Sequence, residues 1–210
     1  MESWDNVYER EIENFDDFGD IGEIWFGEDS VANMIDWIES NIQNTDIKII
    51  DLGCGNGHIL FELSELGYTN LTGVDYSASS INLAKKIHAA KYRDAEISFE
   101  PLDFMPFSAI NPPPASYNAA FQLAVDKGTF DAISLASGTD TVIIAPNDSD
   151  NDEHGHLASH AVSASLAFDR TKVAQKYAEA ISIILGDGGI LLITSCNWTE
   201  IELVDGFKDC

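Results

Sequence analysis

The sequence predicts a doubly wound, mostly parallel α/β sheet built as a single domain over residues 1–210. Three observations carry that reading. Short apolar runs recur along the chain and stop at glycine or aspartate, as strands buried on both faces do. Between them lie stretches with apolar residues at helical spacing behind Ser or Thr caps. A chain of 210 residues with 45% apolar content is enough for one full-sized core.

Residues 1–28 are acidic and aromatic, with Trp4, Tyr8, Phe15, Phe18, Trp25 and Phe26 interleaved. So many large aromatics belong on a packed surface, not in a linker. Asp29-Ser30 is expected to cap a helix with Val31, Met34, Ile35 and Ile38 on one face. Residues 47–52 read as the first buried strand, 59–66 as a helix and 71–75 as the second strand. Ser77 caps a helix to about Tyr92, and 97–102 is the third strand. Pro106, Pro112, Pro113 and Pro114 make 105–118 an irregular insertion. Residues 121–125 form the fourth strand, and Gly128 opens a helix. Residues 138–160, rich in Asp, Asn and His, read as a mobile acidic loop insertion. Thr171 caps a helix with Val173, Ala174, Tyr177, Ile181 and Ile184 on one face. Gly188-Gly189 then turns into the last strand, 190–194. Residues 195–210 hold one more helix, so the expectation is a sheet lacking a C-terminal antiparallel strand pair. Strand 190–194 is then an unpaired edge prone to association.

Charge and composition narrow the function classes. The 36 acidic and 11 basic residues give a formal net charge of −25. Such a surface repels phosphate backbones and attracts basic proteins, so no nucleic-acid partner is expected. Acidity that only keeps the protein soluble is the plainer reading. No apolar run is long enough for a bilayer, and Met1-Glu2-Ser3-Trp4-Asp5 carries no signal region. Cys54, Cys196 and Cys210 fit neither a disulfide framework nor a zinc pattern. The expectation is a cytoplasmic protein without membrane or metal.

The richest segment is Asp51-Leu52-Gly53-Cys54-Gly55-Asn56-Gly57 at a strand-to-helix turn. Gly53, Gly55 and Gly57 let the backbone bend tightly and let a ligand approach it. The dinucleotide fingerprint would need glycine at 58, where His58 stands. Asp51 at the mouth of the turn would repel a pyrophosphate but favour an ammonium and a sulfonium. Asp75 ends the second strand and can accept from both ribose hydroxyls. Asp103 follows the third strand and can accept from an adenine amino group, with Phe104 packing on the ring. These positions point to S-adenosyl-L-methionine over NAD.

Three further stretches carry a family resemblance. They are Trp4-Asp5…Tyr8…Glu11…Asn14-Phe15…Gly19-Asp20…Gly22-Glu23-Ile24-Trp25-Phe26-Gly27, then Asp126-Lys127-Gly128-Thr129-Phe130-Asp131-Ala132, and Thr194-Ser195-Cys196-Asn197-Trp198-Thr199. With the glycine turn they resemble the seven-strand S-adenosylmethionine-dependent methyltransferases, in particular the eukaryotic protein-lysine N-methyltransferases of elongation factor 1-alpha. The resemblance implies a Rossmann-like methyltransferase fold and N-methylation of a lysine on a basic cytosolic protein, elongation factor 1-alpha.

For that chemistry the lysine must lose its proton and be held in line. Asp126, ending the fourth strand, is the first choice for orienting the amine; its plainer reading is capping the next helix, and the two roles can coexist. Asn197 and Trp198 either shape the lysine channel or simply pack a loop. Trp25 either closes over the cofactor or anchors the N-terminal segment. Asp131 reads as structural. Asn111-Pro112-Pro113-Pro114 resembles the NPP-aromatic signature of amino-group methyltransferases, but it precedes the fourth strand and ends in proline, so it reads as a loop. His154, His156 and His160 read as a solvated loop, not a metal site. The alternatives kept open are a small-molecule methyltransferase and a non-catalytic partner retaining the fold.

Overall fold

A computed structural model describes residues 3–136 and 170–208. The element order is α1 (Trp4–Phe18), α2 (Gly27–Asn41), β1 (Lys48–Leu52), α3 (His58–Glu65), β2 (Asn70–Asp75), α4 (Ala78–Lys91), β3 (Ile97–Pro101), β4 (Phe121–Lys127), α5 (Thr129–Ala136), α6 (Arg170–Ile184), β5 (Leu185–Thr194) and α7 (Glu200–Phe207). The strands form one parallel sheet in the order β3-β2-β1-β4-β5. This is the doubly wound α/β class. The order reverses between β1 and β4, so the carboxyl ends of these two strands open a crevice, where ligands bind in such sheets.

Alternating strand residues serve two cores. Ile49, Leu71 and Leu123 face Ile38, Leu60 and Ile87 from α2, α3 and α4. Ile50, Val74 and Ala124 face Phe130, Tyr177 and Ile181 on the other side. Buried apolar layers on both faces make the sheet rigid, which fixes the strand ends that carry the polar site residues.

The N-terminal segment packs on the domain, and does so as a helix. Ser3 caps α1 by accepting from the Asn6 N–H, and Gly19 ends it in a left-handed turn at φ 71. Trp4, Tyr8, Ile12 and Phe15 recur at helical spacing and pack inward. α1 lies on α4, where Ser77 donates to Asp5 at 2.5 Å and Lys86 pairs with Asp16 at 2.6 Å.

The starts of α2 and β5 differ most from expectation. α2 starts at Gly27, ahead of Asp29-Ser30, because Phe26 at φ 67 and Gly27 at φ 77 already reverse the chain there. Asp29 instead lies in the first turn, where its charge favours the helix dipole. β5 starts at Leu185, ahead of the glycines. Phe121 pairs with Leu185 but Leu123 pairs with Ile190, so the step around Gly188 (φ 73) is a bulge within the strand. Ser77 does cap α4, accepting from the Ser80 N–H.

Among the described residues β5 pairs with β4 alone, and Ile190 is 37% exposed. Residues 105–118 are irregular, pinned by buried Phe107 and Tyr117. The Asn111 amide donates to the Pro106 carbonyl at 2.9 Å, as a loop residue does. The 138–160 insertion with His154, His156 and His160 lies outside the described residues. No described helix is long and apolar enough to cross a membrane, and no described group of His, Cys, Asp or Glu could hold a metal.

Candidate active site

A cleft of about 680 Å³ opens over the carboxyl ends of β1, β2 and β4. Its floor is the glycine turn. Gly53, Gly55 and Gly57 all adopt left-handed φ values, of 72, 55 and 85. At Gly55 a Cβ would stand 2.6 Å from the Tyr8 hydroxyl, so glycine there lets α1 close down on the turn. A shallower depression at the amino ends of the strands, lined by Lys48, Asn70 and Glu96, has neither the turn nor converging carboxylates.

Carboxylates converge on the cleft. Asp75 is 7% exposed and accepts from the Gly55 N–H at 3.1 Å and the Ser77 N–H at 2.9 Å. It thereby ties the turn to the end of β2 and keeps lone pairs for a ligand. Burial raises its pKa, against those two hydrogen bonds. Asp51, at 3% exposure, is pushed up to about 7 by burial, opposed by Lys127 and reinforced by Asp126 and Asp75. Asp103 is exposed on the rim, where it accepts from the Met105 N–H at 3.0 Å. Phe104 lines the cleft while its ring packs edge-on to Tyr177.

The roof is the segment after α1. Asn56 in the turn donates to the carbonyls of Ile21 at 3.0 Å and Glu23 at 3.4 Å. Lys127 at the end of β4 donates to the Trp25 carbonyl at 2.6 Å. Gly128, at φ 86, leaves room for the Phe26 ring, which a Cβ would overlap. Trp25 meets Trp4 edge-on at 5.0 Å, as an anchor of the N-terminal segment does, and it also lines the cleft. Buried Glu11 accepts from the Glu23 N–H at 3.1 Å.

Two expected catalytic positions lie off the cleft. Asp126 is fully buried and does not line the cleft. It accepts from Thr129 N–H at 2.7 Å, Phe130 N–H at 2.9 Å and the Tyr177 hydroxyl at 2.5 Å. Successive strand residues point to opposite sides, so Asp126 turns toward α6 and the next residue, Lys127, lines the cleft. Burial pushes Asp126 up to about 7 despite these donors. Trp198 packs on Phe130 at 4.9 Å and donates from Nε1 to Ser134 at 3.2 Å, which is the loop-packing alternative. Asn197 does line the cleft.

The sequence assigns no role to Tyr8, Asn56 or Lys127, and it reads Asp131 as structural. Asp131 is 1% exposed and accepts from the Ser195 hydroxyl at 2.5 Å and the Cys196 N–H at 2.7 Å. Ser195 accepts in turn from Asn197 N–H at 3.1 Å, so Asp131 holds the loop that presents Asn197. The helical spacing of Trp4, Tyr8 and Ile12 was the signal that α1 reaches the turn.

Residues 43–209 match the family described as a methyltransferase domain. The chain belongs to that family. The methyltransferase is 37% identical over 208 residues to EEF1A lysine methyltransferase 2 of Mus musculus, covering 99% of this chain and 70% of that one. It is 35% identical over 218 residues to the protein-lysine N-methyltransferase efm4 of Schizosaccharomyces pombe, covering 97% and 77%. Its fold is similar to the magnesium protoporphyrin IX methyltransferase of Synechocystis solved with S-adenosylmethionine, at TM-score 0.53, 12% identity, and coverage of 97% and 85%.

The methyltransferase's cleft fits S-adenosylmethionine as its cofactor. Its floor is a turn of three glycines, its acids suit a ligand bearing an ammonium and a sulfonium, and the Trp25 Nε1–H on its wall is buried without a hydrogen-bond partner among the described residues. For Asp126→Ala we expect a stability loss of roughly 2–4 kcal/mol, from the lost cap and the stranded Tyr177 hydroxyl. A melting curve reads this directly. Wild-type melting with abolished turnover would instead return Asp126 to the amine.

Proposed function

We propose that this methyltransferase moves a methyl group from S-adenosylmethionine to the ε-amine of a lysine on a basic protein, elongation factor 1-alpha. The observation that carries this is the near full-length likeness to enzymes named for that lysine methylation. The alignments extend over 99% and 97% of the chain, so they take in the N-terminal roof as well as the matched domain. The net charge of −25 suits a basic substrate, and free Cys54 and Cys196 suit the cytoplasm.

When bound, the cofactor supplies a methyl group made electrophilic by its sulfonium. Asp51 faces the cationic end, Asp75 takes the ribose hydroxyls, and Asp103 with Phe104 receives the adenine. A lysine amine, with a pKa near about 10.4 in water, must arrive neutral. The aromatic walls of Trp4, Tyr8 and Trp25 strip water from it and lower its pKa. Asn197, fixed through Ser195 and Asp131, offers a carbonyl oxygen to steer it. Water excluded by the same roof cannot compete for the methyl group.

Unmethylated recombinant elongation factor 1-alpha incubated with enzyme and cofactor tests the substrate. Peptide mass spectrometry is expected to find added methyl groups on lysine. A labelled small molecule from a lysate, with the elongation factor untouched, would replace this reading with the small-molecule one.

A further inference from the structure

The amino-acid end of the cofactor carries a carboxylate as well as an ammonium, and this inference rests on the cofactor reading above. In a cleft walled by Glu23, Asp51, Asp75, Asp103 and Asp131 an added carboxylate is repelled unless a cation meets it. Among the described residues lining the cleft, Lys127 is the one lysine or arginine. Its Nζ reaches the Trp25 carbonyl at 2.6 Å and stands 6.0 Å from the Phe26 ring centroid. An ammonium has more N–H donors than that single carbonyl takes up. Trp25, whose carbonyl it holds, also lines this wall, and its indole Nε1–H is buried with no partner among the described residues. A buried donor left unmet is costly, so a shift of this wall that lets a carboxylate oxygen reach it is favoured.

We propose that Lys127, together with the Trp25 indole N–H, forms the subsite for the carboxylate of the cofactor's methionine portion, while Asp51 takes its ammonium. An acid and a lysine that line the same cleft complement a zwitterion. Lys127 also holds the roof through Trp25, so the carboxylate draws floor, roof and ligand together. The cofactor therefore strengthens the closure that excludes water around it.

Calorimetric titration with S-adenosylmethionine and with its decarboxylated analogue separates this subsite from a purely structural latch. Wild type is expected to prefer the intact cofactor by roughly ten- to a hundredfold. Lys127→Met brings the ratio of the two affinities close to one, and Trp25→Phe, which keeps an aromatic ring and removes the N–H, lowers it part of the way. A Lys127→Met protein that binds both ligands more weakly but keeps the wild-type ratio would overturn the proposal, since a loosened roof acts on both alike. Equal affinities in wild type would overturn it without any variant. Wild type binding neither ligand would overturn the cofactor assignment along with it.

Discussion

Asp75→Ala is expected to weaken S-adenosylmethionine by roughly 3 kcal/mol or more, about a hundredfold or greater in Kd. The carboxylate serves two partners at once. In the role proposed for it, its free lone pairs accept from the ribose, while its oxygens already hold the Gly55 and Ser77 N–H groups. Removing it therefore strips the ligand contact and loosens the floor in one step. Asp75→Asn, which keeps one acceptor oxygen, should lose less. Calorimetry on proteins with matched circular dichroism checks this. An alanine variant that folds and binds at wild-type affinity would place the ribose elsewhere.

Gly128→Ala should open the roof. The backbone at 128 sits at φ 86, and a Cβ there would overlap the Phe26 ring. The left-handed conformation costs alanine roughly 1–2 kcal/mol, and relieving the overlap adds a comparable overpacking cost. The cheapest relief is displacement of Phe26, itself held at φ 67, which pulls Trp25 from Lys127. Hydrogen exchange across 21–27 is expected to quicken, with a lower Tm and weaker cofactor binding. Unchanged exchange there would mean that the roof does not rest on this contact.

Much of this architecture could be read in the sequence because burial and chemistry point the same way at the strand ends. The runs leading to Asp51 and Asp75 are apolar because both faces of β1 and β2 are covered, and the carboxylates that interrupt them mark the crevice. The parity of β4 could not be read in this way. Asp126 and Lys127 adjoin in sequence, and only packing against Tyr177 decides which one enters the cleft. The sequence reading favoured the acid, and the fold gave the place to the lysine. The start of α2 was misplaced for a related reason: Asp29-Ser30 is a good cap, but the turn at Phe26-Gly27 acts earlier in the chain. The link from Asp131 to Ser195 crosses sixty-four positions and has no local signal.

If buried acids select a cationic cofactor in this cleft, the affinity for S-adenosylmethionine depends on pH. Asp51, with a pKa pushed up to about 7 by burial in the free protein, is largely protonated below that value. A bound cation favours its ionised form, so binding releases the proton. Affinity for S-adenosylmethionine should therefore rise from about pH 5.5 to 7, by up to about tenfold per unit, and level off above. Asp51→Asn should flatten that slope, and NAD, with its pyrophosphate, should bind more weakly than S-adenosylmethionine throughout. Calorimetric titration of both ligands over this range is the measurement. Tighter binding of NAD, or an S-adenosylmethionine affinity that falls as the pH rises, would contradict the account.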